Sequence, residues 1–94
     1  MPNEVEKSVL AFEEKHLVAI MMFLSINGSC RKIDVYQNVS SNPRIPDKLD
    51  RLEALGLITQ KPSANSRSVQ IELTKRGRAI ADRLIELDQL IKAE

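Results

Sequence analysis

The sequence lacks most of the side chains from which catalytic and metal sites are built. Its 94 residues include one histidine, one cysteine and three glycines. His16 lies on an apolar stripe with no second His or Cys nearby, whereas a metal site needs several ligands at suitable spacing, so we expect a packed or interfacial histidine. No carboxylate pair, glycine-rich phosphate loop or nucleophile triad stands out. These absences predict a protein that is not an enzyme and uses no metal and no cofactor.

Long apolar runs and disulfide-forming pairs of cysteines are also missing. Residues 17–24 are apolar but too few to span a bilayer, and the N-terminus, with two glutamates among its first six residues, lacks the pattern of a signal peptide. Cys30 cannot form an internal disulfide, which agrees with a reducing compartment. It begins a predicted helix, where a thiol pKa can fall, but we expect a small buried residue rather than a redox switch. We therefore expect a soluble, cytoplasmic protein with no membrane association.

The charge of the chain is unevenly distributed. The formal net charge is only +1. Residues 31–78 carry ten Lys and Arg against five Asp and Glu, whereas the two ends together carry four against eight. A basic centre between acidic ends predicts a central surface that faces a polyanion, flanked by helices with another role.

The clearest helix lies between residues 40 and 58. Asn42 is a good N-cap, Pro43 suits the first helical position, and Gly56 can take the left-handed conformation that ends a helix. One side of this helix is apolar and the other is mainly basic, with Ile45, Leu49 and Leu52 on the first and Arg44, Lys48 and Arg51 on the second. The spacing predicts a helix over residues 43–55 that can read a major groove. Because Pro46 lacks an amide hydrogen, either the helix begins around Pro46 or its first turn is irregular.

The remaining segments predict a single domain, residues 1–94, that is mainly α-helical with a small two-stranded β wing. We expect residues 1–27 to form an N-terminal helix, with Asn3 as its cap. The helix-turn-helix covers residues 30–56, including a short helix over residues 31–38. A hairpin covers residues 57–73, because residues 68–73 alternate between polar and apolar. A long C-terminal helix, which Thr74 caps, covers residues 74–93, and close packing against a neighbouring backbone is the reason we expect for Gly77 inside it.

Two short motifs at a fitting separation carry a resemblance. The sequence LEALGLI spans residues 52–58 and LTKRG spans residues 73–77. In both, the chain resembles the multiple-antibiotic-resistance (MarR) regulators and their small archaeal and PadR-like relatives. The resemblance covers roughly residues 12–80 and implies a winged helix-turn-helix regulator. The chain is shorter than a typical member of the MarR family and lacks the extra helices that shape its effector pocket.

The candidate DNA-binding residues come from the helix-turn-helix, the wing and the start of the last helix. Arg and Lys pair well with guanine edges and phosphates, whereas Asp47 must either accept from cytosine or hold a neighbouring Arg. Ion pairing of the basic residues with Asp47, Asp50 and Glu53 on a solvated helix face is the alternative interpretation. The candidate set is Arg31, Lys32, Ser40, Ser41, Asn42, Arg44, Asp47, Lys48, Arg51, Lys61, Arg67, Lys75 and Arg76.

Surplus apolar surface on the first and last helices predicts a homodimer. The expected interface consists of Val9, Phe12, Leu17, Met21, Ile80, Leu84, Leu87 and Ile91. The leading hypothesis is a homodimeric, sequence-specific transcription regulator that binds double-stranded DNA through helix 43–55 and through the wing, residues 61–68. The alternatives are a winged-helix protein–protein interaction module in a larger assembly and a nonspecific, chromatin-type DNA-binding protein.

Overall fold

The helices of the protein pack against a small three-stranded antiparallel sheet. The computed structural model describes residues 7–63 and 68–93. A 3-10 helix over Val9–Glu13 comes first. The elements that follow are α1 (Leu17–Asn27), β1 (Cys30–Arg31), α2 (Lys32–Asn38), α3 (Ile45–Ala54), β2 (Ile58–Pro62), β3 (Val69–Leu73) and α4 (Lys75–Lys92). The predicted fold class, mainly helical with a small β wing and a long C-terminal helix, is confirmed.

The N-terminal helical segment is interrupted, so the prediction of one helix up to residue 27 is wrong for the described residues. Ser8 caps the 3-10 helix by accepting a hydrogen bond from the Leu10 amide, and His16 then takes a left-handed conformation with φ 77°. Phe12, before this break, packs against the same core as α1. The predicted cap Asn3 lies outside the described residues.

Helix α1 provides the centre of the core. Leu17, Ile20, Met21 and Leu24 are fully buried because they recur on one face of the helix. Leu17 and Met21 are therefore core residues of the protomer, and their prediction as interface residues is corrected: neither exposes any surface to a second chain. The opposite side of α1 is also apolar, and Ile26 there is exposed.

Helix α3 begins two residues later than predicted. Arg44 is its N-cap and Pro46 falls in the first turn, where a missing amide hydrogen costs nothing. The predicted cap Asn42 instead stabilises the turn before the helix, since its side-chain oxygen accepts a hydrogen bond from the Arg44 amide at 2.8 Å. Ile45, Leu49 and Leu52 are fully buried as expected.

The sheet has three strands in the order β1-β3-β2, one more than predicted. The additional strand β1 is two residues long and pairs antiparallel with β3, so that Cys30 lies opposite Ile71 and Arg31 lies opposite Gln70. A two-residue strand shows no alternation in sequence and depends wholly on the neighbouring strand. Strand β2 pairs with β3 from Ile58 opposite Leu73 to Pro62 opposite Val69.

Helix α4 starts where the wing ends and packs along α1. Thr74 caps it by accepting a hydrogen bond from the Gly77 amide at 2.9 Å, and its hydroxyl donates to the Gly56 carbonyl at 2.7 Å. A Cβ at Gly77 would overlap the Leu57 carbonyl, which confirms close backbone packing as the reason for this glycine. Ser25 of α1 donates to Asp82 of α4 at 3.0 Å. Within the described residues, no helix has both the length and the apolar character needed to cross a membrane.

Candidate nucleic-acid interface

The exposed start of α3 is the centre of the candidate interface. Ser41, Asn42, Pro43 and Arg44 are all exposed, and they lead into the helix whose other side is buried. At 100° per residue, Asp47 points directly away from the core, and it too is exposed. The side chains of Arg44 and Asp47 make no hydrogen bond or ion pair within the described part of the chain. They are therefore free to meet a ligand.

One flank of α3 is tied to the segment before α1. The Glu14 carboxylate bridges two of the predicted basic residues, with Oε2 3.0 Å from Lys48 Nζ and Oε1 3.2 Å from Arg51 Nε. Side-chain exposure is 15% for Lys48 and 45% for Arg51. Lys48 is therefore mostly covered, whereas Arg51 reaches solvent. Glu14 was missed by sequence reasoning, since no local pattern links it to a helix more than 30 positions away.

The other flank of α3 is tied to the wing. The Gln60 side-chain amide on β2 donates to Asp50 Oδ1 at 2.9 Å and to Glu53 Oε1 at 3.0 Å. These two carboxylates were expected, in the alternative interpretation, to pair with cations of the same helix. Among the described residues they instead contact Gln60, and the helix cations contact Glu14. Both flanks of α3 therefore contact neighbouring segments of the chain.

Two further predicted residues share the outer face of the sheet. Arg31 on β1 and Lys61 on β2 both lie opposite Gln70 of the central strand, so the three side chains form a row on one face. Arg31 also makes a bidentate contact with Asp34, through Nη2 to Oδ1 at 3.0 Å and Nε to Oδ2 at 3.3 Å. These hydrogen bonds from Arg31 lower the pKa of Asp34 and raise that of Arg31. Both side chains are exposed, but Arg31 is paired with Asp34, whereas Lys61 makes no ion pair with any described residue.

The remaining predicted residues lie around the start of α3 and the outer face of the sheet. Ser40 accepts a hydrogen bond from the Asn42 amide at 3.1 Å and so shapes the turn before α3. Lys32 is half-buried at the start of α2, and Lys75 is exposed at the start of α4. Arg67 lies outside the described residues. The structure therefore brings Ser41, Asn42, Arg44 and Asp47 together, places Lys48 and Arg51 on their flank, and places Arg31 and Lys61 on the sheet.

Two cavities lie near the candidate residues, one at the start of α3 and one beyond its end. The first, of about 300 Å³, is lined by Ser41, Asn42, Pro43 and Pro46 together with Tyr36 of α2, a residue that the sequence did not single out. The second, of about 250 Å³, lies between the 3-10 helix and the start of α4. Arg76 lines this second cavity with Val9, Phe12 and Ile80, so it is separated from the start of α3.

Cys30 is a structural residue. It is buried beside Ile71, and burial, together with the nearby Asp34 carboxylate, raises its pKa to about 11. Such a thiol is almost wholly protonated at neutral pH and is a poor nucleophile. Among the described residues, no group of three or more His, Cys, Asp and Glu side chains is placed to hold a metal ion.

Known proteins resemble this chain in structure, whereas the two sequence comparisons found no match. No protein-family model matches the sequence, and no curated protein matches it. Among solved structures, a transcriptional regulator homologue from Pyrococcus horikoshii OT3 is similar over 89% of this chain and 93% of its own, with a TM-score of 0.68 and 18% identity. The fold is a winged helix-turn-helix. In this fold, α2 and α3 form the helix-turn-helix, and β2 and β3 form the wing.

Two structures of AbfR share this winged helix-turn-helix. The disulfide form has a TM-score of 0.63 and 22% identity, and the reduced form bound to DNA has a TM-score of 0.64 and 21% identity. They match 86% and 87% of this chain but only 57% and 61% of their own. This chain therefore spans about three fifths of AbfR, and the likeness concerns the fold.

Proposed function

We propose that the protein is a sequence-specific, DNA-binding transcription regulator that acts as a homodimer. The observation that carries this proposal is Arg44 at the exposed start of α3, whose side chain has no partner among the described residues. In a helix-turn-helix, the N-terminal residues of the second helix contact base edges in the major groove. The likeness to a regulator structure that is bound to DNA, AbfR, supports the same ligand class for this chain.

Each group of exposed side chains would have its own role on DNA. Arg44 and Asp47 would meet base edges, since Arg reads guanine and a carboxylate can accept from the cytosine amino group. Ser41 and Asn42 would donate to phosphates on the near side of the groove. Lys61 and the wing, residues 61–68, would contact the flanking backbone. Lys32, Lys75 and Arg76 would contribute to the attraction of the polyanion at longer range.

The dimer is proposed from apolar surface that the protomer leaves uncovered. Leu87, Leu90 and Ile91 are exposed on the last turns of α4, beyond the part of the helix that packs on the core. Val9 is exposed on the 3-10 helix. Phe12, Ile80 and Leu84 pack against the core and expose only part of their surface. Burial of an exposed apolar patch by a second copy recovers about 25 cal/mol per Å², and a two-fold pair would present two reading helices to successive grooves.

A second candidate function is supported by the acidic share of α3. Within Ile45–Ala54 three carboxylates accompany two cations, and Asp47 occupies the outermost position. A helix of this charge also suits a protein partner, in which case the domain would be an interaction module of a larger assembly.

DNA titration at two salt concentrations separates the two candidates. Binding through phosphates gives a steep fall of log K with log salt, about 0.9 for each phosphate neutralised, whereas a protein-interaction module binds DNA weakly or not at all. Selection of bound duplexes from random DNA then tests specificity. An enriched palindrome is the expected result, and tight binding without any enriched sequence would indicate a chromatin-type protein instead.

A further inference from the structure

Glu14 lies outside the helix-turn-helix, and its carboxylate pairs with two cations of α3, Lys48 and Arg51. The carboxylate contacts Lys48 with one oxygen and Arg51 with the other. Glu14 follows the 3-10 helix directly and serves as its C-cap, so its backbone is held by elements that pack on the core. The side chain of Glu14 is 27% exposed, which reduces the screening of these contacts by water.

The two cations differ in what the bridge leaves free. Lys48 is mostly covered and pairs with Glu14 at 3.0 Å. Arg51 contacts Glu14 through Nε at 3.2 Å and is 45% exposed, so part of its guanidinium remains open to solvent. The ion pair with Glu14 restricts where the guanidinium of Arg51 can lie, and a planar guanidinium can make bidentate contact with guanine or phosphate.

We infer that Glu14 is a positioning residue for DNA specificity, holding Arg51 in the orientation that the preferred sequence requires and holding Lys48 back from indiscriminate phosphate contact. This inference rests on the proposed function. A lysine or arginine on the flank of α3 without a carboxylate partner attracts the phosphates of every duplex equally, whatever the base sequence. A carboxylate that pairs with both cations lowers this nonspecific attraction, while the oriented Arg51 keeps its contact with the preferred sequence.

Glu14→Gln tests the inference, and Glu13→Gln is its matched control. Glu13 is the adjacent residue, is exposed, and makes no ion pair within the described part of the chain, so both variants lose the same formal charge. Each variant and the wild type are titrated with the duplex that the wild type selects from random DNA and with a scrambled duplex of equal length and composition. Titrations at several salt concentrations give the affinity ratio and both salt slopes.

Glu14→Gln is expected to lower the ratio of selected to scrambled affinity and to steepen the salt slope on scrambled DNA by about 0.9 for each cation that reaches a phosphate. Glu13→Gln is expected to leave the ratio unchanged. Equal changes of both affinities in the two variants would overturn the inference while leaving the proposed function intact. A wild type without salt-dependent DNA binding would overturn the proposed function and the inference with it.

A second variant keeps the test decisive if Glu14→Gln is poorly folded, which thermal unfolding monitored by circular dichroism would reveal. Glu14→Asp keeps the charge, but its shorter side chain does not span both cations. It is expected to lower the affinity ratio and to steepen the salt slope less than Glu14→Gln does, because one of the two cations stays paired. An unchanged ratio in a folded Glu14→Asp variant would contradict the orienting role.

Discussion

Gly77 at the start of α4 lies directly against the backbone of Leu57 at the entry to the wing. A Cβ at Gly77 would overlap the Leu57 carbonyl oxygen and lie 2.8 Å from its carbonyl carbon. The same carbonyl accepts a hydrogen bond from the Thr74 amide at 3.0 Å. The end of α3, the start of the wing and the start of α4 are thus joined at one point.

Gly77→Ala is expected to destabilise the protein by about 1–3 kcal/mol, the usual cost of overpacking, because the Leu57 backbone must move. Ala79→Gly is the control, since Ala79 is exposed on the same helix and loses only helix propensity, about 1 kcal/mol. Urea unfolding measures both variants. At an ordinary helical position Gly77→Ala would stabilise, so an increased unfolding midpoint would contradict the packing argument.

Arg44→Ala is expected to weaken binding to the selected duplex by about 1–3 kcal/mol and to relax the preference at one base position. The physical reason is that the guanidinium has no partner in the described part of the protein and lies at the reading end of α3. Arg83→Ala is the control, because Arg83 is exposed on α4 and pairs with Glu86. Equal binding by the Arg44 variant and the wild type would show that α3 does not face DNA.

Lys61→Ala is expected to lower the affinity for selected and scrambled duplexes alike and to flatten the salt slope by about 0.9, the value for one phosphate contact. Lys61 is exposed on the outer face of β2 and has no ion pair with any described residue. Fluorescence anisotropy with both duplexes measures the effect. A changed base preference in this variant would mean that the wing reads bases.

Leu87→Glu with Ile91→Glu is expected to produce monomers and to lower DNA affinity, although neither residue is near α3. Both side chains are more than half exposed and share one face of α4, four residues apart. Ile26→Glu is the control, because Ile26 is 70% exposed on α1 and lies outside the proposed interface. Sedimentation velocity gives the oligomeric state, and a wild type that is monomeric at micromolar concentration would contradict the proposed dimer.

Cys30 is expected to react with iodoacetamide at least about tenfold more slowly in the native protein than in urea at pH 8, because the thiolate is the nucleophile. Its pKa is raised from 9.0 to about 11 in the folded state. Because the thiol ionises at a lower pH in the unfolded chain than in the folded protein, its contribution to the free energy of unfolding is complete below pH 9. That contribution is lost as the pH rises toward 11. Mass spectrometry follows the alkylation, and rapid native labelling would contradict the burial of this thiol.

The features that the sequence by itself determined are those carried by local pattern. The apolar face of α3, the alternation along β3 and the cap at Thr74 followed directly from spacing and residue type, and the paired motifs indicated the winged helix-turn-helix. Gly77 stood out because glycine inside a helix needs a reason. Each of these signals lies within about one element, where sequence neighbours are also spatial neighbours.

Tertiary structure alone decided the contacts between distant segments. Strand β1 exists only because β3 lies beside Cys30 and Arg31. Packing also decided which side of α1 faces the core and so buried Leu17 and Met21, because the sequence of this helix is apolar on both sides. The pairing of Glu14 with Lys48 and Arg51 joins residues more than 30 positions apart. No local pattern records such a contact, because it forms only when packing of the whole chain brings the two surfaces together.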